Sequence, residues 1–268
     1  MGYNLYAYSP SVACAAIATV LFFVLTISHL WLLVRNGTYF FSAFVVGVEV
    51  VGYIARAVSA HQDPDYTVMP YALQSLFILL APSLFAASIY MILGRIIRLT
   101  EGDSRSIIRA KFMTKIFVLG DVLSFLIQSG GGGIMSTSKS QSQMKLGENM
   151  IIVGSIFGFF AVVAIIFHKR ISAHPTTNSL GLSVPWKKFL FVLYAASGLI
   201  LIRCLYRIIE YAQGSSGTLQ SREAYAYIFD GMLMLGMMLL FIIFHPHQIL
   251  GGAQGSLKME YSMSSRLV

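Results

Sequence analysis

Seven runs of mainly apolar residues follow one another along the chain, at residues 11–34, 39–58, 70–93, 112–134, 150–167, 186–209 and 224–244. Each is close to the ~20 residues that a helix needs to cross a hydrocarbon core. None shows the alternation of an outer-membrane strand, and all are too long for one. The pattern predicts an all-α seven-helix bundle in the membrane over residues 1–250, followed by a short tail at 251–268. The fifth run, 18 residues, sits near the lower limit for spanning.

Composition agrees: of 268 residues, 56% are hydrophobic and 11% charged, and the mean hydropathy is +0.72. A soluble domain carries about 25% charged residues. Disordered, collagen-like and disulfide-scaffold chains are excluded on the same grounds. The net charge of +8 is unevenly placed. One alternating set of loops and the tail hold twelve Lys and Arg, among them Arg95, Arg98, Arg105, Arg109, Lys111, Lys169, Arg170, Lys187 and Lys188; the other set holds only Lys139, Lys145 and Arg222. The positive-inside rule then puts the N-terminus outside and the tail in the cytoplasm. The first ten residues carry no Lys or Arg, so a cleaved signal peptide is not expected. Asn36-Gly37-Thr38, the sequon, falls on the cytoplasmic side and is expected to be unused, while Cys14 and Cys204 read as small buried residues. Residues 94–111 form a basic, partly amphipathic connection suited to anionic lipid, and 129–147 opens on four glycines, a flexible loop composition.

Polar side chains inside the runs carry the functional signal, because each costs several kcal/mol unless it faces the bundle interior or water. Glu49, Tyr53 and Arg56 share a face of the second run at i, i+4 and i+7. Asp121, Ser124 and Gln128 lie similarly on the fourth, Arg203, Arg207 and Glu210 on the sixth, and Glu223, Tyr227 and Asp230 on the seventh. The third run adds Gln74 and an internal Pro82. Five polar stripes imply convergence on a polar cavity; the topology biases it toward the outer leaflet, with Glu49 and Asp121 near mid-membrane. Five acids there face three arginines. The plainer alternative is that these groups are interhelical ion pairs that only fix the bundle.

Other chemistries fit poorly. His245 and His247 flank Pro246 and cannot share a helix face, so a zinc hydrolase is disfavoured; His29 reads as a bundle-facing hydrogen-bond partner and His245-Pro246-His247 as a helix stop. The glycine run at 130–133 lacks the Lys and Ser/Thr of a phosphate loop. The basic residues form no stripe for nucleic acid. No enzyme activity, metal or cofactor is expected.

Several ordered motifs resemble one known family. They are Tyr8-Ser9-Pro10, EVVGYIAR (49–56), QSLFILLAPSLFAASIYMILGRII (74–97), KIFVLGDVLSFLIQSGGGG (115–133), RCLYRIIEYAQG (203–214), EAYAYIFD (223–230) and His245-Pro246. Together they resemble the fungal RTA1-like proteins, also called the lipid-translocating exporter family. The resemblance implies a seven-helix protein of the plasma membrane that moves lipophilic amphiphiles such as sphingoid-base-like or sterol-like compounds, or confers resistance to them. Its expected partners are a lipid or amphiphilic small molecule and the bilayer. In this reading the binding residues are Glu49, Tyr53, Arg56, Gln74, Asp121, Gln128, Arg203, Arg207, Glu210, Glu223 and Asp230. Acids such as Glu49, Asp121 and Asp230 would compensate an amine headgroup, with a bend at Pro82 opening a gap for the tail. The alternative is a seven-helix receptor that senses the amphiphile without moving it.

Overall fold

In the computed structural model, the described residues are 6, 8–42, 47–135, 162–176, 186–213, 219 and 222–248, of which 40, 124–135, 211 and 212 are described by backbone alone. They form helices and turns with no strand. In order these are α1 (Val12–Asn36), a 3-10 turn at Tyr39–Phe41, α2 (Val48–His61), α3 (Val68–Leu99) and a 3-10 turn at Asp103–Arg105. They continue with α4 (Ala110–Met135), a helix at 162–173 taken as α5, α6 (Trp186–Gln213) and α7 (Glu223–Ile243). Four of them, α1, α3, α6 and α7, are long and apolar enough to cross a membrane. The protein is an all-α membrane protein: its helices satisfy their own backbone groups, as lipid demands.

α1 shows how the bundle faces lipid. Its buried residues Ala15, Ala18, Phe22, His29 and Leu33 recur at helical spacing on one stripe. Ile17, Val20, Phe23, Trp31 and Val34 on the other faces are each more than half exposed. Apolar exposure on that scale would be unstable in water and is ordinary against acyl chains. Ser11 caps the start of α1 by accepting from the Cys14 amide at 3.3 Å, and Gly37, left-handed at φ 62°, closes its end. Inside, fully buried Phe22, Phe41, Tyr90, Phe117, Phe167, Phe189 and Phe241 fill the spaces between helices.

Several expectations are redrawn. The second run is not one helix from residue 39: Gly47 turns left-handed at φ 68°, and α2 starts at Val48 and continues past Val58 to His61. At 14 residues α2 rises only about 21 Å. α3 reaches Leu99, beyond the predicted Leu93, and carries Arg95 and Arg98 on its last turns. The four glycines at 130–133 belong to the backbone of α4 and are not loop. Cys14 is exposed, since it points away from the one buried stripe of α1; Cys204 is buried as expected. The first part of the fifth run, and the tail at 251–268, lie outside the described residues.

Two features set the polar groups in place. α2 packs closely on α3, because a Cβ at Gly52 would come within 2.8 Å of Ile78 Cγ1. In α7, Tyr227–Met232 winds as a π-turn between flanking α-helical segments, a local widening common at functional sites.

Candidate functional site

The polar stripes of α2, α6 and α7 meet at the end of the bundle that holds the N-terminal segment. Arg56, 7% exposed, is the hub of its outermost layer. Its Nη2 donates to Glu223 Oε1 at 3.0 Å and to the Tyr8 hydroxyl at 2.7 Å, and its Nε donates to the Tyr227 hydroxyl at 3.0 Å. The guanidinium also lies 5.1 Å from the Tyr227 ring centroid. Glu223 in turn accepts from the Ser11 amide at 2.8 Å. Tyr6 donates to Ser59 Oγ at 2.9 Å and packs edge-on to Tyr71, with ring centroids 5.1 Å apart. The segment before α1 is therefore stitched over α2, α3 and α7.

One turn deeper, Tyr53 is stacked between Phe22 (5.0 Å) and Tyr227 (6.1 Å). Gly231 makes this possible, because a Cβ there would fall 2.7 Å from the Tyr53 hydroxyl. Beneath it lies a charge cluster. Asp230 is ion-paired with both Arg203 and Arg207, one arginine to each carboxylate oxygen. Arg207 Nη1 also donates to Glu210 Oε2 at 2.9 Å. Arg203 Nη2 donates to the Ile78 carbonyl at 2.9 Å. That carbonyl is free because residue 82, whose amide would occupy it in a regular helix, is Pro82. α3 stays continuous through the proline, and the missing helical bond becomes an interhelical one.

These contacts pair all three arginines with Glu223, Asp230 and Glu210. Two predicted acids are left over. Glu49, 3% exposed, sits within electrostatic range of Asp230, Arg203 and Arg207, yet makes no ion pair among the described residues, and its Oε1 has no hydrogen-bond partner. Asp121, 5% exposed, faces the Tyr90 hydroxyl of α3. Its Oδ2 is without a hydrogen-bond partner. It lies apart from the cluster, with Cys204 within electrostatic range of both.

Of the residues predicted from sequence, Glu49, Tyr53, Arg56, Arg203, Arg207, Glu210, Glu223 and Asp230 thus converge. Gln74 is buried at the edge, facing the Tyr6 hydroxyl, while the side chain of Gln128 lies outside the described residues. The ion-pair alternative accounts for six of them. Sequence reasoning missed Tyr6 and Ser11, and it placed Tyr8 within the family-like Tyr8-Ser9-Pro10 without giving it a role at the site; the further signal was the density of tyrosines in MGYNLYAYSP. His29, in contrast, is a bundle-facing partner as expected: its Nε2 lies 2.9 Å from the Met238 carbonyl.

A family pattern described as RTA1 like protein matches residues 42–253. The chain belongs to the RTA1-like family. Among its RTA1-like relatives, Protein RTA1 of Saccharomyces cerevisiae is 35% identical, over 91% of this chain and 86% of its own length. Protoporphyrin uptake protein 1 of the same yeast is 33% identical over 90% and 92% of the two chains. More distantly, Sphingoid long-chain base transporter RSB1 of Saccharomyces cerevisiae is 26% identical over 83% and 68%. No solved structure matches. The matched region of the RTA1-like pattern contains every residue of the charge cluster; Tyr6, Tyr8 and Ser11 precede it.

Proposed function

We propose that the chain spans the plasma membrane seven times with its N-terminus outside, and translocates lipophilic amphiphiles that carry a cationic amine, performing no chemical conversion on them. The observation that carries this reading is Glu49: a buried carboxyl with no ion-pair partner among the described residues, beside a cluster whose arginines are all engaged. An amine headgroup supplies the missing charge, and a buried acid of this kind is retained against its cost when it serves a ligand. Asp230 is held by two arginines, so within the acids first considered the amine falls to Glu49, with Asp121 a second station. The tail stays in lipid between helices.

Two relatives are named for large amphiphiles, one for a sphingoid long-chain base and the other for protoporphyrin; the first carries an amine and the second carboxylates. For this chain a carboxylate cargo would have to displace an acid from an arginine, which favours the amine.

The test is reconstitution. The purified full chain in proteoliposomes should move a fluorescent sphingoid base between leaflets, and Glu49→Gln should abolish that movement at equal incorporation. Binding without any movement would instead make the protein a sensor. Movement unaltered in Glu49→Gln would remove Glu49 from the site.

A further inference from the structure

The leftover carboxyl raises the question of what neutralises it when no amine is bound. Glu49 lies on α2, which packs against α1 and α3 and meets the side chains of α6 and α7. α6 and α7 present Arg203, Arg207 and Asp230 to it. Both arginines are committed to Asp230, and Arg203 also to the Ile78 carbonyl. The titratable groups of α1 are Cys14, His29 and Arg35: Cys14 is exposed, His29 is turned to the Met238 carbonyl, and Arg35 lies over the Trp31 ring at 4.8 Å. Those of α3 are Tyr71, Tyr90, Arg95 and Arg98; Tyr71 packs on Tyr6, Tyr90 faces Asp121, and both arginines sit at the far end of the helix. On α2 itself, Arg56 is engaged by Glu223, Tyr8 and Tyr227, Tyr53 is acceptor or neutral donor only, and His61 lies on the last turn. Among the described residues, no cation is therefore released to Glu49 unless an existing pair breaks.

We propose that Glu49 is a proton-exchange site, an inference that rests on the amine reading above. With the site empty, the carboxyl is a neutral acid, since an uncompensated buried carboxylate is far costlier than a protonated one. When an alkylammonium headgroup arrives, the O–H bond of Glu49 breaks, the carboxylate pairs with the ammonium, and the proton leaves to water on the side to which the site is open. One positive charge enters and one leaves. The same oxygen cannot hold both, so amine movement in one direction is tied to proton movement in the other, and a proton gradient suffices to drive accumulation.

The competition has a readable sign. Between pH 5 and pH 7.5 an alkylamine is fully charged, so any pH dependence of its binding comes from the protein. Binding of a radiolabelled sphingoid amine to the detergent-purified full chain, measured by scintillation proximity, should weaken about tenfold for each pH unit of acidification once Glu49 is protonated. In Glu49→Asp the pH at which this weakening begins should move. In Glu49→Gln any remaining binding should be independent of pH. A wild-type affinity that is flat across the range overturns the proton exchange and leaves the amine site standing. A pH dependence whose midpoint is unmoved in Glu49→Asp places the proton on another group and overturns it as well. Absence of saturable binding at every pH overturns the amine reading, and this inference with it.

Discussion

Two buried acids within electrostatic range of each other live under opposite conditions. Asp230 on α7 is as buried as Glu49 on α2, at 3% exposure each, but Asp230 is clasped by two arginines while Glu49 has none. A buried ion pair roughly balances desolvation against attraction, and losing one partner leaves the full penalty of the other. The Asp230 cluster is thus an arrangement the bundle depends on, whereas Glu49 is a charge position the bundle tolerates. Burial alone does not mark a functional acid in a membrane; burial after every nearby cation has been assigned does.

The most severe way to break the contrast is Asp230→Asn. It strands Arg203, leaves Arg207 with Glu210 alone, and should cost about 3–5 kcal/mol, read as a large drop in the thermal unfolding temperature of the detergent-purified protein. A variant as stable as the parent would show that the arginines hold no structure together. Arg56→Ala should come next, at about 2–3 kcal/mol, as it removes charge-assisted bonds and leaves Glu223 without its cation. Gly231→Ala should cost about 1–3 kcal/mol through collision with the Tyr53 hydroxyl. Tyr53→Phe added to it should recover most of that loss, and additive losses in the double variant would refute the contact. Glu49→Gln sharpens the comparison from the other side: unfolding should change by no more than about 1 kcal/mol, since no pair is broken, while amine translocation disappears. A Glu49→Gln protein that unfolds as readily as Asp230→Asn would erase the distinction.

Much of this was legible in the chain. Hydropathy located the long helices, and the i, i+4, i+7 spacing of Glu49-Tyr53-Arg56, Arg203-Arg207-Glu210 and Glu223-Tyr227-Asp230 foretold three faces that do converge. Which acid pairs with which arginine was not legible, because spacing fixes a face and says nothing of the rotation between helices. The carbonyl of Ile78 could not be foreseen as a partner of Arg203 from side-chain chemistry; only the combination with Pro82 four residues on exposes it. Nor does periodicity reach the extended residues Tyr8 and Ser11, whose contacts are set by where α1 begins. The break at Gly47 was hidden by an apolar run that reads alike for one helix or two.

The π-turn at Tyr227–Met232 has a bearing on ancestry and engineering. Such a turn accommodates one residue more than a regular helix over the same rise. Removing a single residue there would restore an ordinary helix and leave the segments on either side near their present places, so that the side chains of the turn itself are re-aimed. Glu223 would keep its place by Arg56 while Asp230 turned from its two arginines. Chain length between the two acids is thus itself a specification, and a one-residue deletion would be read by this bundle as a change of wiring.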